Sequence, residues 1–178
     1  DQVDVAESVA AALFHDLVNL PKTHPERHLA SERSAAEALP LLRAADFSPE
    51  ATTRIGDAIT DHSFSRGAVP RSALGRALQD ADRLEALGVL GLFRTISTGT
   101  RMNARYFQST DPRAEARGLD APASSIDHFT TRLFRLPATM CTDAGRVEAE
   151  RRIERMRRML EDLGDELCRP YVPHPSLG

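Results

Sequence analysis

The stretch Ala11–His28, AALFHDLVNLPKTHPERH, runs from an apolar helical segment into a cationic loop and carries the pair His15-Asp16 at the junction. One row of helical spacing passes through Val5, Val9, Ala12 and Asp16. This row predicts that Asp16 lies on the buried face of the helix, where a carboxylate is costly unless it is paired or binds a metal. Since neighbouring side chains diverge by about 100° around a helix, His15 and Asp16 can flank an ion between them.

A partner acid for this pair is available in the stretch Gln79-Asp80-Ala81-Asp82-Arg83-Leu84. Asp82 follows Leu74 and Leu78 on one apolar row, but Asp80 belongs to an equally apolar row. The two carboxylates are about 200° apart on one helix, so both cannot aim at one ion. Periodicity leaves open which of the two would join the site.

The sequence resembles the HD-domain metal-dependent phosphohydrolase superfamily, in particular an uncharacterised bacterial branch of it. The matching stretches extend over most of the chain: FHDLVNLPKTHPERH, AITDHSFS, LQDADRLEALGVLG and IDHFTTRLFRLPATM. In that family a His, then a His-Asp pair, then a distant Asp bind a divalent metal. The resemblance therefore implies His15, Asp16 and Asp82 as metal ligands, because Ala81-Asp82-Arg83-Leu84 is similar to the distant element.

The resemblance also implies a ligand that residues 1–14 do not contain. The family's first His lies on a helix upstream of the His-Asp pair, and no His precedes His15 in this sequence. We therefore expect this ligand, and the helix that carries it, ahead of Asp1. The nitrogen and oxygen donors suit one divalent ion of Mn, Mg, Ni, Co, Fe or Zn and do not choose among them.

The loop after the pair, Lys22-Thr23-His24-Pro25-Glu26-Arg27-His28, concentrates potential cations. A phosphate at the metal needs its other oxygens neutralised, so Lys22, Arg27 and His28 are candidate substrate-binding residues. The alternative is a solvated polar loop. Two further histidines, His24 and His62, are candidates for protonating a leaving oxygen, beside Asp16 as a catalytic ligand. His62 is equally well explained as a histidine stabilised at a helix C-terminus.

The composition indicates a globular chain of ordinary domain size. It has 178 residues, 41% hydrophobic and 28% charged, and a net charge of −3, which argues against general nucleic-acid binding. No apolar run approaches the roughly 20 residues of a membrane span. The two cysteines, Cys141 and Cys168, do not have the spacing of a metal site, and two cysteines do not make a disulfide framework. This cysteine usage fits a reducing compartment, so a cytoplasmic location is expected.

The spacing of apolar residues predicts helices throughout and no convincing strand. The predicted helices cover residues 2–19, 28–45, 49–63, 72–87, 89–98, 100–108, 124–136 and 143–168, with a kink or break at Pro40. We expect an all-α, globular multi-helix bundle like the HD fold, forming one domain over 1–169 with a flexible tail at 170–178. The apolar residues of the last predicted helix recur at regular helical spacing and form a seam along one of its faces. This seam packs on its own domain or, alternatively, forms a homodimer contact.

The predicted function is metal-dependent hydrolysis of a phosphate ester in a small substrate. The nucleotide-like character of that substrate is implied by the resemblance alone. Two other classes stay open: a di-iron oxygenase, with His24, His28 and His62 as extra ligands, and a non-catalytic regulatory or ligand-binding HD domain.

Overall fold

The computed structural model describes residues 3–21, 24–63, 69–112, 114 and 116–168. Among them the α-helices are α1 (Val5–Phe14), α2 (Ala30–Ala44), α3 (Pro49–Asp61), α4 (Ala73–Glu85), α5 (Gly88–Arg101), α6 (Ser125–Thr131) and α7 (Asp143–Cys168). Two 3₁₀ helices cover Arg27–Leu29 and Leu133–Thr139. These residues contain no strand, only an isolated bridge between Arg105 and Ser124. The fold is all-α, as the sequence predicted.

The chain divides into two compact units, of which the first comprises residues 1–83 and 140–146. In this unit α1, α2 and α3 pack together, and α4 contributes Leu74 and Leu78 to the same core. The other buried members are small or aliphatic: Ala10, Ala11, Ala35, Ala38, Leu42, Ile55, Ala58 and Ile59. Because alanines predominate at the contacts of α1 and α2, the helix backbones can approach closely, and the apolar core fixes the helix ends that carry the candidate site.

The start of α3 follows the capping chemistry that its sequence predicts. The Ser48 hydroxyl accepts a hydrogen bond from the Ala51 N–H at 3.2 Å, and Pro49 occupies the first helical turn. At α1 the Asp4 carboxylate accepts from the Glu7 N–H at 2.9 Å. Both helices therefore begin at a side chain that satisfies one of the unpaired N–H groups of the first turn.

The second unit comprises residues 84–139 and 147–178. Its core contains Leu87, Phe129, Leu133, Ala149, Ile153 and Met156. A buried ion pair stabilises the segment before α6, because Arg117 donates from Nη2 to Asp127 Oδ1 at 2.9 Å and from Nη1 to Oδ2 at 2.5 Å. Asp127 is 1% exposed, and its Oδ2 also accepts from the Asp120 N–H at 2.7 Å.

Three details of the predicted helices are wrong. The helix predicted over residues 2–19 ends at Phe14 in the structure. Its buried residues are Ala10 and Ala11, whereas Val5 and Val9 are exposed. The row through Asp16 is therefore the outer face. Apolar side chains occur all round this helix, and the neighbouring helices decide which side is buried.

The other two differences concern helix breakers. Pro40 lies inside α2 and does not divide it, because the buried positions Ala38 and Leu42 on either side of it keep the helix packed; a kink at Pro40 stays a prediction. Gly99 lies inside α5, and residues 102–108 are not helical. An added Cβ at Gly99 would collide with the Ser125 hydroxyl, so this glycine permits close approach of α6 and does not end the helix.

The first part of the apolar seam of α7 is buried within the protein's own core, since Ala149, Ile153 and Met156 are each at most 2% exposed. Nearer its end, Leu167 is 37% exposed. A homodimer contact through this helix stays a prediction, and the tail at 170–178 lies outside the described residues. Within the described part of the chain, none of the helices combines the length and the hydrophobicity that a membrane span requires.

Candidate metal centre

His15 and Asp16 lie where the chain leaves α1. His15 is the C-terminal cap of α1 and still has helical backbone angles, and the Leu17 N–H donates to the Phe14 carbonyl at 3.3 Å. The next residue is anchored to α2, because the Val18 N–H donates to the hydroxyl of buried Ser34 at 3.0 Å. The His-Asp pair therefore occupies a turn that is fastened on both sides and not the middle of a helix.

The His15 ring is oriented by its own helix. Its Nδ1 donates to the Ala12 carbonyl at 2.7 Å, so Nδ1 carries a proton and Nε2 of the neutral ring presents a lone pair. This Nε2 lies 3.6 Å from Asp16 Oδ2 and 4.0 Å from Asp82 Oδ1. A histidine that binds metal through Nε2 commonly donates its other N–H to a carbonyl in this way.

His62 presents the same arrangement from α3. It is the C-terminal cap of that helix, and its Nδ1 donates to the Ile59 carbonyl at 2.5 Å. The ring stands edge-on to the His15 ring, with centroids 5.1 Å apart and planes at 85°. Burial lowers the pKa of His62, which favours the neutral imidazole that a metal requires, although the hydrogen bond to the Ile59 carbonyl and the nearby Asp82 and Asp16 carboxylates oppose this shift.

One ligand atom each from His15, Asp16 and His62 lies within 4.8 Å of the other two. Ligands about 2.0–2.2 Å from an ion lie at most about 4.4 Å apart across it, so the spacing of this group is compatible with one shared ion. Two imidazole lone pairs and a carboxylate are also the donor set that first-row divalent metals accept. The group therefore fits a metal ion, and Asp82, beside His15, is placed to add a second carboxylate.

The structure separates the two acids that periodicity left equivalent. Asp80 is 3% exposed and faces the start of α7, where Oδ1 accepts from the Cys141 N–H at 2.7 Å. Its Oδ2 accepts from the Thr142 N–H at 2.8 Å and from the Thr142 hydroxyl at 2.7 Å. Asp82 is the acid that lies beside His15. The role of Asp82 as a metal ligand stays a prediction.

The cationic loop has an internal structure of its own. The Arg27 guanidinium donates to the Leu20 carbonyl, which closes the loop on itself. The Glu26 N–H donates to His24 Nδ1 at 3.1 Å, so a neutral His24 carries its proton on Nε2, opposite to His15 and His62. His28 is exposed in the 3₁₀ turn, and Lys22 lies outside the described residues. The substrate-binding role of these residues stays a prediction.

Sequence reasoning missed two side chains that hold this region together, Gln79 and Thr142. Gln79 is 2% exposed and donates from Nε2 to the His62 carbonyl at 3.0 Å. Thr142 accepts the Gly145 N–H at 3.0 Å while donating to Asp80, so it links the end of the Asp80 side chain to the first turn of α7. The available signal was the density of polar residues from Gln79 to Asp82 in a helix that is otherwise apolar on both rows.

Comparison with known proteins supports an HD-like fold, although no family model matches the chain. The chain is 29% identical over 172 residues to the uncharacterized protein YpgQ of Bacillus subtilis (strain 168). The alignment covers 94% of this chain and 75% of YpgQ. The crystal structure of YpgQ in complex with ADP superposes with a TM-score of 0.67 at 28% identity, covering 92% of this chain and 75% of that one. A crystal structure of an HD-superfamily hydrolase from Bacillus thuringiensis gives a TM-score of 0.65 at 26% identity, covering 90% of this chain and 72% of that one.

Proposed function

We propose that this protein is a metal-dependent phosphohydrolase that cleaves a phosphate ester of a nucleotide or nucleotide-like molecule. The observation that carries the proposal is the convergence of His15, Asp16 and His62, with Asp82 beside His15, at the ends of three helices. The similarity to an HD-superfamily hydrolase supports the hydrolytic class. The similarity to YpgQ, whose structure was determined with ADP, supports a nucleotide as the substrate class.

The proposed ligands are His15, Asp16, Asp82 and His62 for one divalent ion. Such an ion would lower the pKa of a bound water and polarise a phosphoryl oxygen. The chain's own contribution is to hold both imidazoles with Nδ1 protonated and Nε2 available, through the Ala12 and Ile59 carbonyls. Asp16, with 59% of its side chain exposed, leaves this group open to solvent on one side, where a substrate can approach.

The hydrogen bonds divide the histidines between two roles. Since His62 donates through Nδ1, its neutral ring has no proton on Nε2 to give to a leaving oxygen, and we assign it to the metal. His24 has the opposite tautomer and presents an Nε2–H, so it is the better candidate for a hydrogen bond to the leaving oxygen. Lys22, Arg27 and His28 would neutralise the remaining phosphate oxygens.

The test is a metal-supplemented hydrolysis panel of nucleoside mono-, di- and triphosphates and simple phosphate esters. We expect turnover to require added divalent metal, to stop after chelation and to return on metal addition. Asp82→Asn should abolish turnover, whereas Asp57→Asn, an exposed aspartate on α3, should retain it. Full turnover after exhaustive chelation, with the absence of metal verified by emission spectroscopy, would refute the proposal.

The same measurements separate the two other classes. Two irons per chain together with oxygen uptake would indicate an oxygenase. A stoichiometric metal without hydrolysis of any member of the panel would indicate a regulatory or ligand-binding role.

A further inference from the structure

A buried chain of hydrogen bonds leads from the start of α7 to the candidate metal centre. The Cys141 thiol donates to Gln79 Oε1 at 3.1 Å, and Gln79 Nε2 donates to the His62 carbonyl at 3.0 Å. A carbonyl only accepts, so the amide nitrogen of Gln79 must face His62 and its oxygen must face Cys141. The two contacts therefore fix the orientation of one buried amide.

The His62 carbonyl needs such a partner because of its position. An α-helix leaves its last carbonyls without intrahelical donors, and His62 is the C-terminal cap of α3. His62 is 5% exposed, so burial leaves little room for water to satisfy this carbonyl. Gln79 supplies the donor from α4, and it is the residue three positions before Asp82.

The position of the His62 imidazole depends on the His62 backbone, whose carbonyl accepts the hydrogen bond from Gln79. Its Nδ1 bond to the Ile59 carbonyl ties the ring to the last turn of α3, and the Gln79 bond holds the carbonyl of the same residue. With both bonds in place, the ring has a fixed position beside His15 and Asp16, and Nε2 is the nitrogen that remains available to a metal. Without the Gln79 bond, the apolar packing of α3 on α4 remains, but the His62 carbonyl loses its hydrogen bond to α4.

We infer that Gln79 is a positioning residue of the metal centre, acting through His62, and that Cys141 orients Gln79. This inference rests on the proposed function, because it assumes that His62 binds the metal. Partners outside the ligand set typically change metal affinity 10–100-fold when they are removed. We therefore expect Gln79→Met, which keeps the length of the side chain and removes the donor, to weaken Co²⁺ binding about tenfold or more.

The experiment is a Co²⁺ titration of the metal-free chain, read by the visible d–d absorption, beside a melting curve of each variant without metal. Asp80→Asn is the matched control, because it removes buried hydrogen bonds from the same turn of α4 but contacts α7. We expect Gln79→Met to raise the Co²⁺ Kd and alter the absorption band. Asp80→Asn should lower the Tm and leave the Kd within about twofold, since it loses the backbone N–H of Cys141 and not the thiol that donates to Gln79.

The Cys141 variants provide a second, milder measurement. Cys141→Ala removes the donor to Gln79 and should weaken Co²⁺ binding about threefold, the effect of one neutral hydrogen bond, whereas Cys141→Ser keeps a donor and should restore the wild-type Kd. If Gln79→Met does not fold, this pair decides, and equal affinity in Cys141→Ala and wild type overturns the inference.

Failure of the inference is distinguishable from failure of the proposed function. A Gln79→Met protein that binds Co²⁺ with the wild-type Kd and spectrum, even at a lower Tm, shows that Gln79 is only structural while the metal centre stands. A wild-type protein that binds no Co²⁺ overturns the metal centre and, with it, the role of Gln79.

Discussion

Replacing Asp80 and Asp82 by asparagine, one at a time, should separate stability from metal binding within a single helical turn. Asp80 accepts three hydrogen bonds at the start of α7, whereas Asp82 lies beside His15. We expect Asp80→Asn to lower the Tm and keep its metal, and Asp82→Asn to keep its Tm and lose its metal.

The magnitude for Asp80→Asn follows from the donors that surround it. The carboxylate faces the N–H groups of Cys141 and Thr142 on its two oxygens, so either orientation of an asparagine amide leaves an NH₂ group against an N–H. Bonds to a charged acceptor contribute about 1.5–3 kcal/mol each, and the negative charge near a helix start adds about 0.5 kcal/mol. Losing one such bond and the charge gives about 3 kcal/mol.

A loss of about 3 kcal/mol lowers the Tm of a chain of this length by roughly 6–12 °C. Asp82 has a side chain that is 32% exposed, and a substitution there should shift the metal-free Tm by at most about 2 °C. Its effect on metal binding should be at least the 10–100-fold that is typical of residues outside the ligand set.

The assay is differential scanning calorimetry of the metal-free proteins together with metal stoichiometry by emission spectroscopy. Comparison of the two variants on both measurements controls each against the other. The reasoning is refuted if folded Asp82→Asn retains full metal while Asp80→Asn has lost it. An Asp80→Asn protein whose metal-free Tm equals that of the wild type would equally contradict it.

Three further predictions address other contacts. Gly145→Ala should lower the metal-free Tm despite the better helix propensity of alanine, because the added Cβ would collide with the Asp80 carboxylate. Its Co²⁺ Kd should be unchanged, and a raised Tm would contradict the packing described. The Arg117 hydrogen bond holds the pKa of Asp127 below its usual value, so this carboxylate contributes stability above about pH 4 that is lost as the pH falls toward the folded pKa. Asp127→Asn should cost about 3 kcal/mol at pH 7 and flatten the decline of Tm as the pH falls below about 4. A decline as steep as that of wild type would exclude Asp127 as its source. Arg27→Ala and Lys22→Ala should each lower kcat/KM with unchanged metal content, and wild-type kinetics in both would leave the loop a solvated surface.

The helical class of the fold was predictable because it depends on spacing along the chain. Ser48 and Pro49 define the start of α3 by local chemistry alone, and the structure places the helix there. The buried face of α1 was not predictable in the same way. Apolar residues occur on every side of it, and close packing against α2 and α3 buries Ala10 and Ala11 while Val5 and Val9 stay exposed.

The candidate site was predictable in part for a related reason. His15 and Asp16 are adjacent in sequence, so their proximity needs no knowledge of the fold. His62 joins them only through the packing of α3 against α1, and its own sequence surroundings are equally compatible with a helix cap. Asp80 and Asp82 could not be separated by periodicity, because the partners that distinguish them, Thr142 and His15, are distant in the chain.

The turn of α4 that begins at Gln79 shows how one short polar segment can serve a core and a site together. Buried polar side chains cost free energy unless each is hydrogen-bonded, so two of them in succession require two sets of partners in different directions. Gln79 donates to the His62 carbonyl at the carboxyl end of α3, and Asp80 accepts from the Cys141 N–H just before α7. Because these two side chains are held in directions about 100° apart, a rotation of α4 about its axis would break one set of hydrogen bonds. Gln79 and Asp80 therefore hold the direction of Asp82 toward His15, and a residue in the metal-binding role proposed for Asp82 needs this rigidity.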